Sequence, residues 1–451
     1  MAQQVDVVVI GMGVGGEEVA GKLAEAGLSV VAVESTLVGG ECPYWGCVPS
    51  KMMIRAANLL AEARRLDGIA GHADVTPEWE QVATRIREEA TADWNDQAAV
   101  DRYTGKGGTL IRGWGRLAGP GVVVVNDETF EARRGVVLAT GTVPVVPPID
   151  GLAGTPYWTN REAIEAKSLP ASLIVLGGGA VGLELAQVYA RFGVAVTVVE
   201  AMNRLLPAEE PEASALVERA LVADGITVCA GKPVTAVSYD GTRFSVTVGA
   251  RELTAEHLLV AVGRRADLTG LGLETVGLDE TGSAIEVDGH MRAGDRMWAV
   301  GDVTGHGAFT HVGMYQAGIA IRDILGEPGP PADYRALPRV TFTDPEVGSV
   351  GLTEAGARAA GITTEVGMAQ VPESTRGWVH KAGNDGFIKL IADADHGVLV
   401  GATSAGPTGG EVLSALAVAV HARVSIDALR NMIYAYPTFH RSIEVALHQI
   451  S

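Results

Sequence analysis

Short runs of apolar, mostly β-branched residues that pass directly into glycines recur along the chain. Val5-Asp6-Val7-Val8-Val9-Ile10 runs into Gly11-Met12-Gly13-Val14-Gly15-Gly16, a pattern that reads as a buried parallel strand followed by a tight turn. A helical spacing of apolar positions continues to about Ala26, and a second strand spans Ser29 to Val33. Leu173 to Leu176 repeats the theme: Gly177-Gly178-Gly179-Ala180-Val181-Gly182, a helix to about Phe192 and a strand ending at Glu200. Between the repeats, Val48 to Leu66 and Pro77 to Tyr103 carry apolar residues at helical spacing, which predicts two long scaffold helices. Gly121 to Phe130 alternates as a hairpin does, and Gly135 to Thr142 reads as a buried strand closed by a glycine turn. Pro144, Pro147 and Pro148 mark a linker. Leu258 to Arg265 and Met297 to Val303 are further strand ends at glycine turns, and Gly326 to Pro331 is a second linker. The whole predicts an α/β protein.

The glycines have a specific use. In G-x-G-x-x-G, here Gly11, Gly13 and Gly16, the backbone lets a pyrophosphate approach a helix N-terminus. Alone the motif also describes a plain structural turn. An acid at the end of the next strand, placed to accept hydrogen bonds from ribose hydroxyls, strengthens it. Glu34 stands twenty-three positions after Gly11, and Glu200 twenty-three positions after Gly177, with Gly179 and Gly182 completing the second motif. Two dinucleotide units in one chain favour one resident and one exchangeable nucleotide.

At 451 residues with 47% hydrophobic content the chain has room for two to four domains with proper cores. Its net charge of -19 argues against nucleic acid or an anionic membrane surface as a partner. No apolar run reaches the ~18 residues of a membrane helix; the longest, Val412 to Val420, stops at His421 and Arg423. The start, Met1-Ala2-Gln3-Gln4, lacks the regions of a signal peptide, so a cytoplasmic protein is expected. Three cysteines do not make a disulfide scaffold, and a pair at special spacing is then catalytic. Cys229, in a strand-like run, is expected as a small buried hydrophobe.

The pair lies in Gly39-Gly40-Glu41-Cys42-Pro43-Tyr44-Trp45-Gly46-Cys47-Val48-Pro49-Ser50-Lys51. A regular helix would hold the two cysteines slightly too far apart to bond, so the turn must be distorted. Pro43 and Gly46 are residue types that permit it. Backbone N–H groups at a helix start also favour a thiolate. The plainer alternative is a buried pair of cysteines in a helix.

This stretch resembles the active-site segment of the flavoprotein disulfide reductases, the family of dihydrolipoyl dehydrogenase, glutathione reductase and mercuric reductase, and the resemblance extends over nearly the whole chain. It implies an FAD domain in two segments (1–150 and 266–336), an inserted NAD(P)-binding domain (151–265) and a C-terminal α+β dimerisation domain (337–451). The first two are Rossmann-like. It implies an enzyme that passes electrons from NAD(P)H through FAD to a Cys42–Cys47 disulfide and on to a small-molecule electron acceptor, working as a homodimer without a bound metal. Cys42 resembles the thiol that exchanges with substrate, Cys47 the one on the flavin, and Lys51 the lysine beside the flavin's reactive nitrogen. Glu184 is where the family places that lysine's acid; the alternative is a solvated helix residue, against which Val181, Leu183 and Leu185 speak. Gly40, Thr140-Gly141 and Gly301-Asp302 resemble flavin-binding positions, Asp302 facing the ribityl chain, and Gly263 belongs to the nicotinamide side. His311, in the helix start that runs under the flavin ring in this family, is expected to cap or pack. Glu200 favours NADH, tempered by Arg204, which can swing to a phosphate.

Three places depart from the family pattern. Glu41 replaces the usual Thr, and Pro43-Tyr44-Trp45 replaces smaller residues. In the C-terminal Tyr434-Ala435-Tyr436-Pro437-Thr438-Phe439-His440-Arg441, Tyr436 and Arg441 occupy the His and Glu positions of the H-P-T-x-x-E segment. That His is the general base for dithiol substrates. Tyrosine, with a pKa near ~10, is a poor base at neutral pH. His440 is a candidate replacement; packing or a surface role is the alternative. Dihydrolipoyl dehydrogenase is thus a weakened label beside a quinone or metal-ion reductase, a transhydrogenase, or a non-catalytic sensor of the nicotinamide ratio.

Overall fold

The computed structural model describes residues 2–451, which form two compact units. The first comprises residues 2–49, 83–145 and 263–333, and the second residues 50–82, 146–262 and 334–451.

In the first unit, Gln3–Ile10 pairs in parallel with Val30–Glu34 on one side and Glu128–Leu138 on the other. Thr109–Arg112 and Met297–Ala299 extend the sheet in parallel. The β-branched run is buried on both faces: Val7, Val9 and Val30 pack with Leu23, Ile319 and Ile324, while Val8, Ile10 and Val31 pack with Leu117, Phe130 and Leu138. That two-sided burial is why the strand reads as a continuous apolar run and not as an alternation.

The second unit holds three sheets. Ser172–Leu176, Ala195–Glu200, Thr227–Ala230 and His257–Val260 form a four-stranded parallel sheet, joined to a three-stranded antiparallel sheet through Phe244, Val246 and Leu258 in one core. Residues 338–406 supply a five-stranded antiparallel sheet in the order Pro338–Thr341, Glu346–Gly351, Val398–Gly406, Phe387–Asp393, Thr364–Gln370. Leu413, Leu416 and Val420 of the Gly409–His421 helix, with Ile443 and Leu447, pack on its Leu390 and Ala402. The expected class, two Rossmann-like units and a C-terminal α+β domain, is the observed one.

Four local expectations are corrected. Pro77 to Tyr103 is not one helix: Trp79–Arg85 passes into a π-turn over Ile86–Ala90, the chain reverses through Ala92, Asp93 and Trp94, all at positive φ, and a new helix runs over Gln97–Thr104. Periodicity continues across the break because both pieces bury one face. The hairpin's second strand and the strand before Thr140 are a single strand, Glu128–Leu138, running through Gly135. Pro144, read as linker, belongs with Val143 to a strand that pairs antiparallel with Arg264–Arg265. Cys229 is half-exposed and lines a cavity of about 350 Å³ with Lys232 and Arg251, because its strand is the sheet's edge.

Candidate active site

Each glycine fingerprint folds into the same cradle. Gly11 (φ +94) and Gly177 (φ +109) make turns in which an added Cβ would lie 2.4 Å from the Ala139 carbonyl oxygen and 2.3 Å from that of Ala261. At Gly16 and Gly182 a Cβ would meet the carbonyl oxygens of Gly11 and Gly177 at 2.0 and 2.4 Å. Gly13 and Gly179 differ: each is the N-cap of its helix, Val14–Glu25 or Ala180–Arg191, with no side-chain cap and nothing within 4 Å of the Cβ position. These helix ends present uncapped N–H groups to open space, the requirement for a diphosphate. The acids close the cradles. Glu34 accepts from the N–H groups of Met12 (2.7 Å) and Thr36 (2.7 Å), and Glu200 from those of Gly178 (2.6 Å) and Met202 (2.7 Å). Burial pushes the Glu34 carboxyl upward against those bonds.

Further groups in the first unit fit a flavin nucleotide. The Thr140 hydroxyl is buried without a partner, next to Gly141 at φ +68. Gly40 is so close to Gly13 that a Cβ would fall 2.8 Å from its Cα. Gly301, at φ +83, donates its N–H to Gln316. Asp302 accepts from Thr142 Oγ1 (2.9 Å), which accepts in turn from Arg264 Nε (2.9 Å). Burial raises the Asp302 carboxyl, and the Glu41 charge adds to the effect; Glu41 forms an ion pair of 3.8 Å with Arg264. Thr142, Arg264 and Gln316 carry no sequence signal of this role, since polar side chains beside glycine turns have no periodicity.

The cysteine segment is distorted as Pro43 and Gly46 suggest. A four-residue helix, Glu41–Tyr44, ends before Gly46, and Cys47 begins the Cys47–Arg64 helix. Neither cysteine is in a disulfide. The hydrogen bond to Cys47, and then burial, push the Cys42 thiol well above the ordinary thiol range. Cys47 stands at the start of its helix, where backbone N–H groups favour a thiolate. Thr310, first residue of the Thr310–Leu325 helix, stands with its Oγ1 3.4 Å from Cys47 Sγ. His311 stacks on Phe309 at 5.1 Å.

Lys51 lies one turn along the cysteine helix. In the second unit its Nζ is 2.7 Å from Glu184 Oε2, with Glu184 only 6% exposed; a solvated Glu184 is thereby ruled out. Farther along the chain, the Tyr436 hydroxyl donates to Thr375 Oγ1 (3.2 Å), and Arg441 sits 5.5 Å over the Tyr436 ring. Arg441 also holds Glu444 at 3.0 Å. His440 tilts against Tyr434 at 6.1 Å, and among the described residues its ring has no carboxylate partner. Among the described residues, no group of three or more His, Cys, Asp or Glu could hold a metal ion, and no helix is long and apolar enough to cross a membrane.

Comparison with known proteins extends this picture to the whole chain. Residues 5–318 match the pyridine nucleotide-disulphide oxidoreductase family and residues 337–447 its dimerisation domain. The chain is 35% identical over 463 residues to a dihydrolipoyl dehydrogenase of Chlorobaculum tepidum, covering 99% of this chain and 97% of that protein. It is 36% identical over 457 residues to a mercuric reductase of Streptomyces lividans, covering 98% and 95%. Among solved structures, the Cu(II) complex of the HOCl-induced flavoprotein disulfide reductase RclA of Escherichia coli superposes with a TM-score of 0.87 at 25% identity, covering 100% of both chains. The matches describe enzymes, which replaces the reading as a non-catalytic sensor. The chain belongs to the pyridine nucleotide-disulphide oxidoreductase family, enzymes that use FAD and NAD(P)H and assemble as homodimers through their dimerisation domain.

Proposed function

We propose that this enzyme reduces an acceptor that takes electrons without general-base help, a thiophilic metal ion before a quinone, and that it prefers NADH. The carrying observation is the C-terminal segment, where Tyr436 and Arg441 replace a His–Glu pair, Arg441 neutralises Glu444, and His440 lacks a carboxylate partner among the described residues. The names of its relatives support the metal-ion reading: one reduces mercuric ion, and RclA forms a Cu(II) complex. The equally similar dihydrolipoyl dehydrogenase keeps that reading as the second; a transhydrogenase would also need no base. For NADH speaks Arg204, whose guanidinium is spent on the carbonyls of Leu206 (3.0 Å) and Pro207 (2.7 Å) and on Ser214 (3.0 Å). It is not free to swing to a phosphate.

In this reading residues 1–150 and 266–336 bind FAD, residues 151–265 bind NADH, residues 337–451 form the dimer, and the protein is cytoplasmic. FAD, when bound, accepts the hydride and relays the electron pair. Gly13 and Gly179 seat the two diphosphates, Glu34 and Glu200 the riboses, Asp302 the ribityl chain, and Lys51 with Glu184 the flavin ring. The electron pair breaks the Cys42–Cys47 bond, leaving a Cys47 thiolate and, with one proton, a Cys42 thiol that faces the acceptor. Anaerobic turnover with NADH and Hg(II), Cu(II), quinones or lipoamide tests the proposal. Dihydrolipoamide turnover is expected to be slow and to rise about 10²- to 10⁴-fold in the Tyr436→His, Arg441→Glu double variant. Fast wild-type turnover of dihydrolipoamide would sink the proposal, and its loss in His440→Ala would transfer the base role to His440.

A further inference from the structure

Glu184 uses both carboxylate oxygens. Oε2 holds the Lys51 ammonium at 2.7 Å, and Oε1 accepts the backbone N–H of Phe342 at 2.8 Å. One helical turn on, Gln187 repeats the bond: its Oε1 accepts from Asp344 N (2.8 Å) and its Nε2 donates to the Asp344 carbonyl (2.9 Å). Residues three apart on a helix share a face, and N–H groups two apart in an extended chain point the same way. The two side chains thus clamp residues 342–344 to the helix. Arg65, and Arg191 one turn beyond Gln187 on the same helix, bind the Asp344 carboxylate at 2.7 Å each. The segment is fixed independently of the Phe342 side chain. The ring it presents lies under Lys51, with Nζ 4.6 Å from its centroid.

We propose that Phe342 is a positioning residue for Lys51, its ring face and the Glu184 carboxylate together holding the ammonium at one point. This rests on the reading of Lys51 as the flavin-facing lysine. A lysine has four flexible carbons and a strongly hydrated head. A single carboxylate leaves it an arc of positions, part of it open to water, since the Lys51 side chain is 35% exposed. An aromatic face within about 6 Å attracts a cation through the ring quadrupole and closes that arc. The backbone bond to Glu184 survives any change of the Phe342 side chain, so the ring's contribution can be removed alone.

The experiment uses the holoenzyme and compares Phe342→Leu and Phe342→Met with Phe342→Tyr and Lys51→Met. The readouts are the flavin reduction potential, the long-wavelength thiolate-to-flavin absorbance after two-electron reduction, and the rate of flavin reduction by NADH. Leu and Met are expected to make the potential more negative, weaken the absorbance and slow reduction by about threefold to tenfold, at an unchanged melting temperature. Tyr, which keeps the ring face, is expected to match the wild type. Leu and Met variants that equal the wild type in potential and absorbance while Lys51→Met departs from it would overturn the role of Phe342 and leave that of Lys51 intact. If Lys51→Met itself changes neither readout, the reading of Lys51 fails, and this proposal with it. Should Leu and Met melt early, equal losses in Phe342→Tyr would equally overturn it.

Discussion

Gly11, Gly13, Gly16 and Glu34 in the first unit, and Gly177, Gly179, Gly182 and Glu200 in the second, build one cradle twice with the same atoms. Both acids take two backbone N–H groups, and both helix starts are uncapped glycines. The surroundings differ. At the far end of the second helix, Arg191 is 2% exposed and bonds Asp224, Asp344 and Asn58. At the equivalent place in the first helix stands Glu25, 40% exposed, held by Lys22 and Lys106 at the surface. Equal spacing gave equal cradles; what anchors each helix was free to diverge, because a nucleotide contacts only the helix start.

The largest expected effect breaks the symmetry of anchoring. Arg191→Met takes a buried cation from Asp224 and leaves Asp344 with Arg65 alone, and should cost about 3–5 kcal/mol, whereas Glu25→Gln should leave the denaturation midpoint unchanged. Urea unfolding of both variants checks this, and equal midpoints would mean that the buried network contributes nothing.

Next come the glycines, which test the cradles as a pair. Gly16→Ala and Gly182→Ala push a methyl into backbone, so each should destabilise by about 1–3 kcal/mol or more. The first should purify without FAD, and the second should stay yellow but reduce slowly with NADH. Gly13→Ala and Gly179→Ala meet no atom in the empty protein and should leave its melting unchanged, while weakening FAD or NADH binding by about tenfold or more through lost N–H contacts. Retained nucleotide affinity in both would show that the open space is not the phosphate seat.

A smaller difference separates the acids. Wild-type enzyme should favour NADH over NADPH in kcat/KM by about tenfold or more, since a 2′-phosphate would meet the Glu200 charge. Glu200→Gln should narrow the ratio, and Arg204→Ala should leave it unchanged because that guanidinium is already satisfied. A clear wild-type preference for NADPH would reverse the assignment.

The smallest effect is a pH dependence of the FAD-free protein. Burial raises the Glu34 carboxyl, and a group raised on folding contributes stability that is fully present below the ordinary glutamate value near ~4.3 and is lost as pH rises through the folded value. Between pH 4 and 6 the wild type should therefore lose a little stability relative to Glu34→Gln. An opposite slope would mean that the two N–H groups outweigh burial.

The sequence by itself determined the two cradles, the redox pair and the order of the elements, because these rest on local requirements: glycines where backbone must come close, β-branched runs where both faces are buried, and cysteines at a broken helix start. Even the loss of the His–Glu pair was legible at Tyr436 and Arg441. Tertiary structure alone decided which polar groups meet. Nothing in spacing places Phe342 against Lys51 and Glu184, or Arg264 against Glu41 and Thr142. The break at residues 91–96, hidden by continuous periodicity, was decided in the same way. Local pattern reports which face of an element is buried; the partner across that face lies tens to hundreds of residues away, where packing and not spacing selects it.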